Sequence, residues 1–130
     1  MEAIPAGQLW AGRILSGIAV AFLLFDVVGK LAQVEPVVRG TVELGYKESA
    51  VFTVGVLLLI GVVLYAIPRT SVVGAIYLAA YLGGAVATHY RVGNPLASHV
   101  LFPVYVAVFL WSGLALRNAQ LLALLTGAGR

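Results

Sequence analysis

Apolar residues along this chain gather into four runs, and the short stretches between them hold nearly all of the ionisable groups. The two cleanest runs, Ala50 to Ile67 and Ser71 to Thr88, are each 18 residues long and contain no acid or base other than tyrosine. At the rise of an α-helix, a run of this length reaches about 27 Å, close to the hydrocarbon thickness of a bilayer. The first run extends from about Leu9 to Gly29, with Arg13 near its start and Asp26 near its end; the last runs from Val100 to Leu116 and stops at Arg117. Charges so near helix ends reach the headgroups by snorkelling, so all four runs are expected to span. The pattern predicts an all-α fold: an integral membrane four-helix bundle running up-down-up-down, a single membrane domain over residues 1–130, with spans at about 9–29, 50–67, 71–89 and 95–116.

Composition agrees with the pattern. A chain with 62% hydrophobic and 10% charged residues would expose large apolar patches in water. The first run is read as a span rather than a secretory leader, because it lacks a strongly basic start and a small-residue cleavage site. Cysteine is absent, which removes disulfides, thiolate metal sites and thiol relays; any redox role needs a bound cofactor or a partner. The net charge of +3 is dispersed, with none of the clustered Lys and Arg that nucleic acid binding requires.

The connections carry their own signals. Val34 to Leu44 reads as a short helix that lies along the interface or folds over the bundle mouth, with Pro36 in its first turn, apolar Val34, Val38 and Val42, and polar Glu35, Arg39 and Glu43. Gly45 is expected to end it and Tyr46 to anchor at headgroup depth. Asn94 followed by Pro95 predicts an N-cap and first position of the fourth helix, which would set Pro103 in that helix's interior and open or kink it beside His99. Both chain ends and the Pro68, Arg69, Thr70 turn fall on one side of the membrane, and segments 30–49 and 89–99 on the other. Basic residues tie, Arg13, Arg69, Arg117 and Arg130 against Lys30, Arg39, Lys47 and Arg91. Only the acids, Glu2 against Asp26, Glu35, Glu43 and Glu48, tilt the expectation toward cytoplasmic termini.

The side opposite the termini collects most of the chemistry. Asp26, Lys30, Glu48, His89, Arg91, Asn94 and His99 should form a polar cap there. Asp26 and Lys30 stand at i, i+4, the spacing of a local ion pair, and such a pair at the membrane margin either orients a helix or marks a ligand or proton site. Gly74, Tyr77, Tyr81, Gly84 and Thr88 share one face of the third helix, which either packs closely on a neighbour or lines a site with phenols. Gly17 with Ala21, and Gly55 with Gly61, repeat the small-residue theme. His89 and His99 at one depth bring haem or metal to mind, held with Asp26. Without a His-x-x-x-His spacing on one helix, hydrogen bonding at the interface is the better reading, and no metal site is expected. No nucleophile elbow, phosphate loop or paired carboxylate motif is present.

One stretch has a family's look. The run from Tyr81 through Gly83, Gly84, Thr88 and His89, then Arg91, Gly93, Asn94, Pro95, Ser98, His99, Leu101, Phe102 and Pro103, closely resembles the DoxX-like membrane proteins. Phe25, Asp26 and Lys30, Leu44, Gly45 and Tyr46, and Pro68, Arg69 and Thr70 support the match, which covers about residues 13–117; Ala79 and Ala80 stand where relatives often carry Thr-Gly. The resemblance implies a four-helix bundle of the bacterial inner membrane. Some relatives are subunits of a thiosulfate-oxidising, quinone-reducing enzyme, one sits in a membrane oxidoreductase assembly with soluble redox partners, and distant animal relatives assist receptor assembly. It carries over no catalytic residue.

Two functions follow from the residues and the resemblance. In one, the bundle binds a quinone or another lipid-like molecule under the polar cap, with Asp26, Lys30, Tyr77, Tyr81, His89, Arg91 and His99 as ligand-binding residues, in a membrane redox system. In the other, the chain is a scaffold or assembly factor whose small-residue faces dock other membrane helices. Lipid contact and self-association are expected in both. The discriminating feature is whether the Tyr77 to Thr88 face lines a cavity or meets another helix.

Overall fold

The computed structural model describes residues 3–128; Glu2 and Arg130, counted in the charge balance above, lie outside the described residues. The helices are α1 (Ala6–Leu31), α2 (Glu35–Glu43), α3 (Ala50–Ala66), α4 (Ser71–Arg91), α5 (Phe102–Arg117) and α6 (Ala119–Thr126). A 3-10 turn at Pro68–Thr70 and a π-helical turn at Leu96–Val100 complete the path, and no strand occurs among the described residues. By length and hydropathy three stretches can cross a membrane, Ala6–Leu31, Pro68–Arg91 and Leu96–Arg117; the equally apolar α3 is shorter, at 17 residues.

Helix α1 packs against α3 and α5, and α4 packs against the same two, so the four close into a ring. Leu23, Leu58, Leu78 and Leu110, one from each, are buried in a common core. The outer faces are as apolar as the inner ones: Trp10, Ile14 and Ile18 on α1, Phe52 and Ile60 on α3, Val73 and Ile76 on α4, and Val108 on α5 are all exposed. Helices apolar around their whole circumference suit hydrocarbon on the outside and a packed core on the inside. Near the start of α1 the Arg13 guanidinium lies 4.9 Å from the centre of the Trp10 ring, an arrangement suited to headgroup depth.

The turn between α3 and α4 is tight because two hydroxyls satisfy the carbonyls that end α3. Thr70 donates to the Leu64 carbonyl at 2.7 Å, and Ser71 donates to those of Tyr65 at 2.7 Å and Ile67 at 2.9 Å. Just beyond it, Gly74 lets α4 lie directly on the α3 backbone at Tyr65, where a Cβ would overlap main-chain atoms. Gly12 and Gly113 do the same for the crossing of α1 and α5. Gly17 faces outward and touches nothing.

Two expectations are corrected. The fourth helix does not begin at an Asn94 cap, and Pro103 does not lie in its interior. Pro95 is extended, the amides of Val100 and Leu101 reach back five residues to Pro95 and Leu96, and a new helix, α5, starts at Phe102. Pro103 thereby falls in the first turn of α5, where a missing N–H leaves nothing unsatisfied, and the predicted opening beside His99 takes the form of the π-helical turn. Beyond Arg117 the chain forms one more helix. Asn118 accepts from the amide of Leu121 at 3.0 Å and caps α6, which packs on α5 through buried Leu121 and stops at Gly127.

Gly74→Ala is therefore expected to destabilise the protein by about 1–3 kcal/mol through overpacking, whereas Gly17→Ala, on an open helix face, gains up to about 1 kcal/mol from helix propensity. Thermal unfolding in detergent checks both, and equal shifts for the two variants would contradict the close crossing.

Candidate ligand cavity

Helix α1 ends with Asp26 and Lys30 one turn apart, and their side chains pair directly. Both are largely withdrawn from the surroundings, Lys30 the more so, with 15% of its side chain exposed. The pair stands in the wall of a cavity of about 780 Å³ enclosed by α1, α2, α3, α4 and α5. Its depth is apolar, formed by Leu23, Leu82 and Val106, which are buried. Its rim includes Phe25, 80% exposed, and the edge-to-face pair Phe22 and Phe102 at 5.2 Å, so the cavity opens on the apolar outer face of the ring.

A second, more polar hollow of about 360 Å³ adjoins it and shares Asp26, Lys30 and His89 as a common wall; Glu43, Asn94 and His99 complete its polar lining. The Asn94 side-chain nitrogen, 2.7 Å from His89 Nδ1, donates to it, which leaves Nε2 to carry the ring proton. His99 Nδ1 lies 2.8 Å from the Ser98 hydroxyl, and the two imidazole rings meet edge to face at 5.9 Å. Asn94 is thus spent on orienting a histidine rather than capping a helix. Among the described residues no three of His, Asp and Glu converge as metal ligands.

Helix α2 forms the roof. Pro36 stands in its first turn and Glu35 pairs with Arg39 at 3.1 Å on its exposed face, while Val37, Thr41 and Leu44 line both hollows from above. Gly45, at φ +98°, turns the chain out of the helix, and a Cβ at this position would collide with the Arg91 guanidinium. Arg91 donates to the Leu44 carbonyl at 3.3 Å, and the Tyr46 and Thr88 hydroxyls bond at 3.0 Å. These two contacts fasten the roof to the end of α4.

The candidate residues named from sequence therefore separate. Asp26, Lys30, Tyr81 and His89 line the main cavity and His99 the polar hollow. Tyr77 does neither: its ring lies over Gly61 and its hydroxyl donates to the Leu57 carbonyl at 2.7 Å, locking α4 to α3. Arg91 lines neither hollow and acts on the roof. The face from Gly74 to Thr88 is accordingly split, its first half a helix contact and its second half, Tyr81, Gly84 and Thr88, a cavity wall.

Sequence reading passed over the strongest polar cluster, which lies at the other end of the ring. Tyr65, 2% exposed, donates to the Leu110 carbonyl at 2.6 Å and bonds the Ser16 hydroxyl at 2.7 Å; Arg117 donates to Ser16 at 3.0 Å and to the Gly113 carbonyl at 3.2 Å. A tyrosine inside a run whose other polar side chain is Thr53 was the available signal, because a buried phenol has to find a partner.

A ring of helices that are apolar inside and out, with a few polar groups gathered around a cavity that opens on its outer face, defines a small membrane protein. The DoxX-like family profile matches residues 14–113, and the chain belongs to that family. No curated protein and no solved structure matches it.

Arg91→Ala should loosen the roof alone. Amide exchange over Leu44 to Ser49 is expected to rise on the order of tenfold, with α4 unchanged, in hydrogen exchange of the detergent-solubilised protein. Exchange that is unaltered there would mean Arg91 does not hold the link.

Proposed function

We propose that this protein is a multi-pass inner-membrane bundle, a single domain with α1, α3, α4 and α5 crossing up-down-up-down and α2 lying along the interface, and that it binds one lipid-like molecule in the cavity. The observation that carries the reading is the cavity itself: an apolar chamber of about 780 Å³, in the size range of small-molecule sites, that meets the Asp26–Lys30 pair, Tyr81 and His89 at its polar end. Leu23, Leu82 and Val106 would hold the ring and tail of a quinone there, and Lys30, Tyr81 and His89 would donate to its oxygens. When bound, that group would supply two-electron chemistry coupled to protons, as part of a membrane redox system. The chain's own residues orient the head and screen it from the aqueous side under α2.

The scaffold reading draws less support. Of the small-residue face on α4, the part that meets a helix meets the chain's own α3, and the remainder borders empty space.

The test is purification in mild detergent followed by solvent extraction and mass spectrometry of what leaves with the protein. A stoichiometric quinone or single lipid species is expected. Gly84→Leu, at a position where an added side chain meets nothing, should fold normally and lose most of that species by filling the chamber. Bulk phospholipid alone, unchanged by Gly84→Leu, would end the ligand reading.

A further inference from the structure

Three polar groups at the cavity's mouth have bonding capacity to spare. The Asp26–Lys30 contact uses one carboxylate oxygen and one ammonium hydrogen, and the Tyr81 hydroxyl, which faces the same cavity, makes no hydrogen bond among the described residues. Within a membrane there is little water to satisfy such groups, so whatever fills the chamber must do so. The neighbouring hydroxyls are already committed: Thr88 donates to the Gly84 carbonyl at 2.8 Å and bonds Tyr46.

The formal charges at this mouth cancel. Lys30 is matched by Asp26, and Glu43 adds a further negative group in the adjoining hollow; Arg91, the nearest other cation on α4, is turned onto the Leu44 carbonyl. An anionic head such as a phosphate or carboxylate would meet one lysine that is already paired, with Asp26 beside it. A cationic head would meet Lys30. Either would set its charge beside the like charge of the pair, a repulsion that low dielectric strengthens.

Resting on the ligand-binding reading above, we infer that the cavity selects an amphiphile with an uncharged head that both donates and accepts hydrogen bonds, a hydroxyl or a hydroxyl–carbonyl group, and rejects charged lipids. Asp26 accepts from that head, Lys30 and Tyr81 donate to it, and the tail lies among the apolar residues that open past Phe22 and Phe102 toward the bilayer.

The test uses the full chain in lipid nanodiscs and three photoreactive probes with one diazirine-bearing tail: hexadecanol, hexadecanoate at a pH where it is ionised, and hexadecyltrimethylammonium. Labelled residues are mapped by mass spectrometry. The alcohol should label the cavity walls of α1 and α4 about tenfold more than either charged probe. Asp26→Asn should move the preference toward hexadecanoate and Lys30→Met toward the ammonium probe. A benzoquinol bearing the same tail, whose hydroxyls both donate and accept, separates a ring head from a simple alcohol, and competition by either supports the assignment. Equal labelling by all three probes in the unmodified protein, or preference for a charged one, overturns the selectivity without touching ligand binding. Absence of cavity labelling by every probe overturns the ligand reading itself. Because the first comparison needs no substitution, misfolding of a variant cannot rescue the inference.

Discussion

One tyrosine holds the four packed helices to each other. Tyr65 belongs to α3, sends its hydroxyl to Ser16 of α1 and to the Leu110 carbonyl of α5, accepts at its own carbonyl from Ser71 of α4, and lies with its backbone against Gly74. In hydrocarbon the hydrophobic effect does little to draw apolar helices together, so close backbone approach and hydrogen bonds across helices carry the association. A buried hydroxyl left without partners costs about 1–3 kcal/mol, which makes this knot cooperative: it is satisfied only when all the helices are in place. The ring is clamped at that end. At the other end Gly55 still meets α1 at Lys30 and Leu31, but nothing approaches Gly84 on α4, and the space beside it is the cavity.

The division of labour along α4 follows from this asymmetry. Tyr77 and Tyr81 are one turn apart on the same face, yet the first reaches a main-chain carbonyl of α3 and the second borders open volume. Spacing along one helix could group them but not separate them, because the difference depends on where the neighbouring helix has diverged. The same holds for Arg91, which the sequence places beside His89 and the fold turns toward the roof.

Much of the architecture was legible in the pattern of apolar runs, because a helix that must satisfy its own backbone in lipid leaves an unbroken apolar signature. Part of the polar cap was legible too, through polar residues at the helix ends and in the connection after α4: Asp26, Lys30, His89, Asn94 and His99 border one hollow. The break before α5 was half legible: Pro103 demanded some relief of the ladder, but sequence could not choose between a kinked helix and a π-helical turn followed by a restart. Helix α6 had its signals in Asn118 and Gly127, and went unread because it is only eight residues long. Tyr65 was hidden for the opposite reason, one hydroxyl in a long run that is apolar at nearly every other position.

Gln8, at the start of α1, donates to the Leu116 carbonyl at 3.2 Å, and so the first helix of the ring lies beside the last. Each of the four then has two neighbours and none is an edge, so the covalent order of the helices is in topological terms a choice of where to cut a circle. The cut falls between α1 and α5. Of the three connections that remain, one is a tight 3-10 turn, one holds the π-helical turn, and the third carries an α-helix of its own, so the circle's longest detour is also its cover.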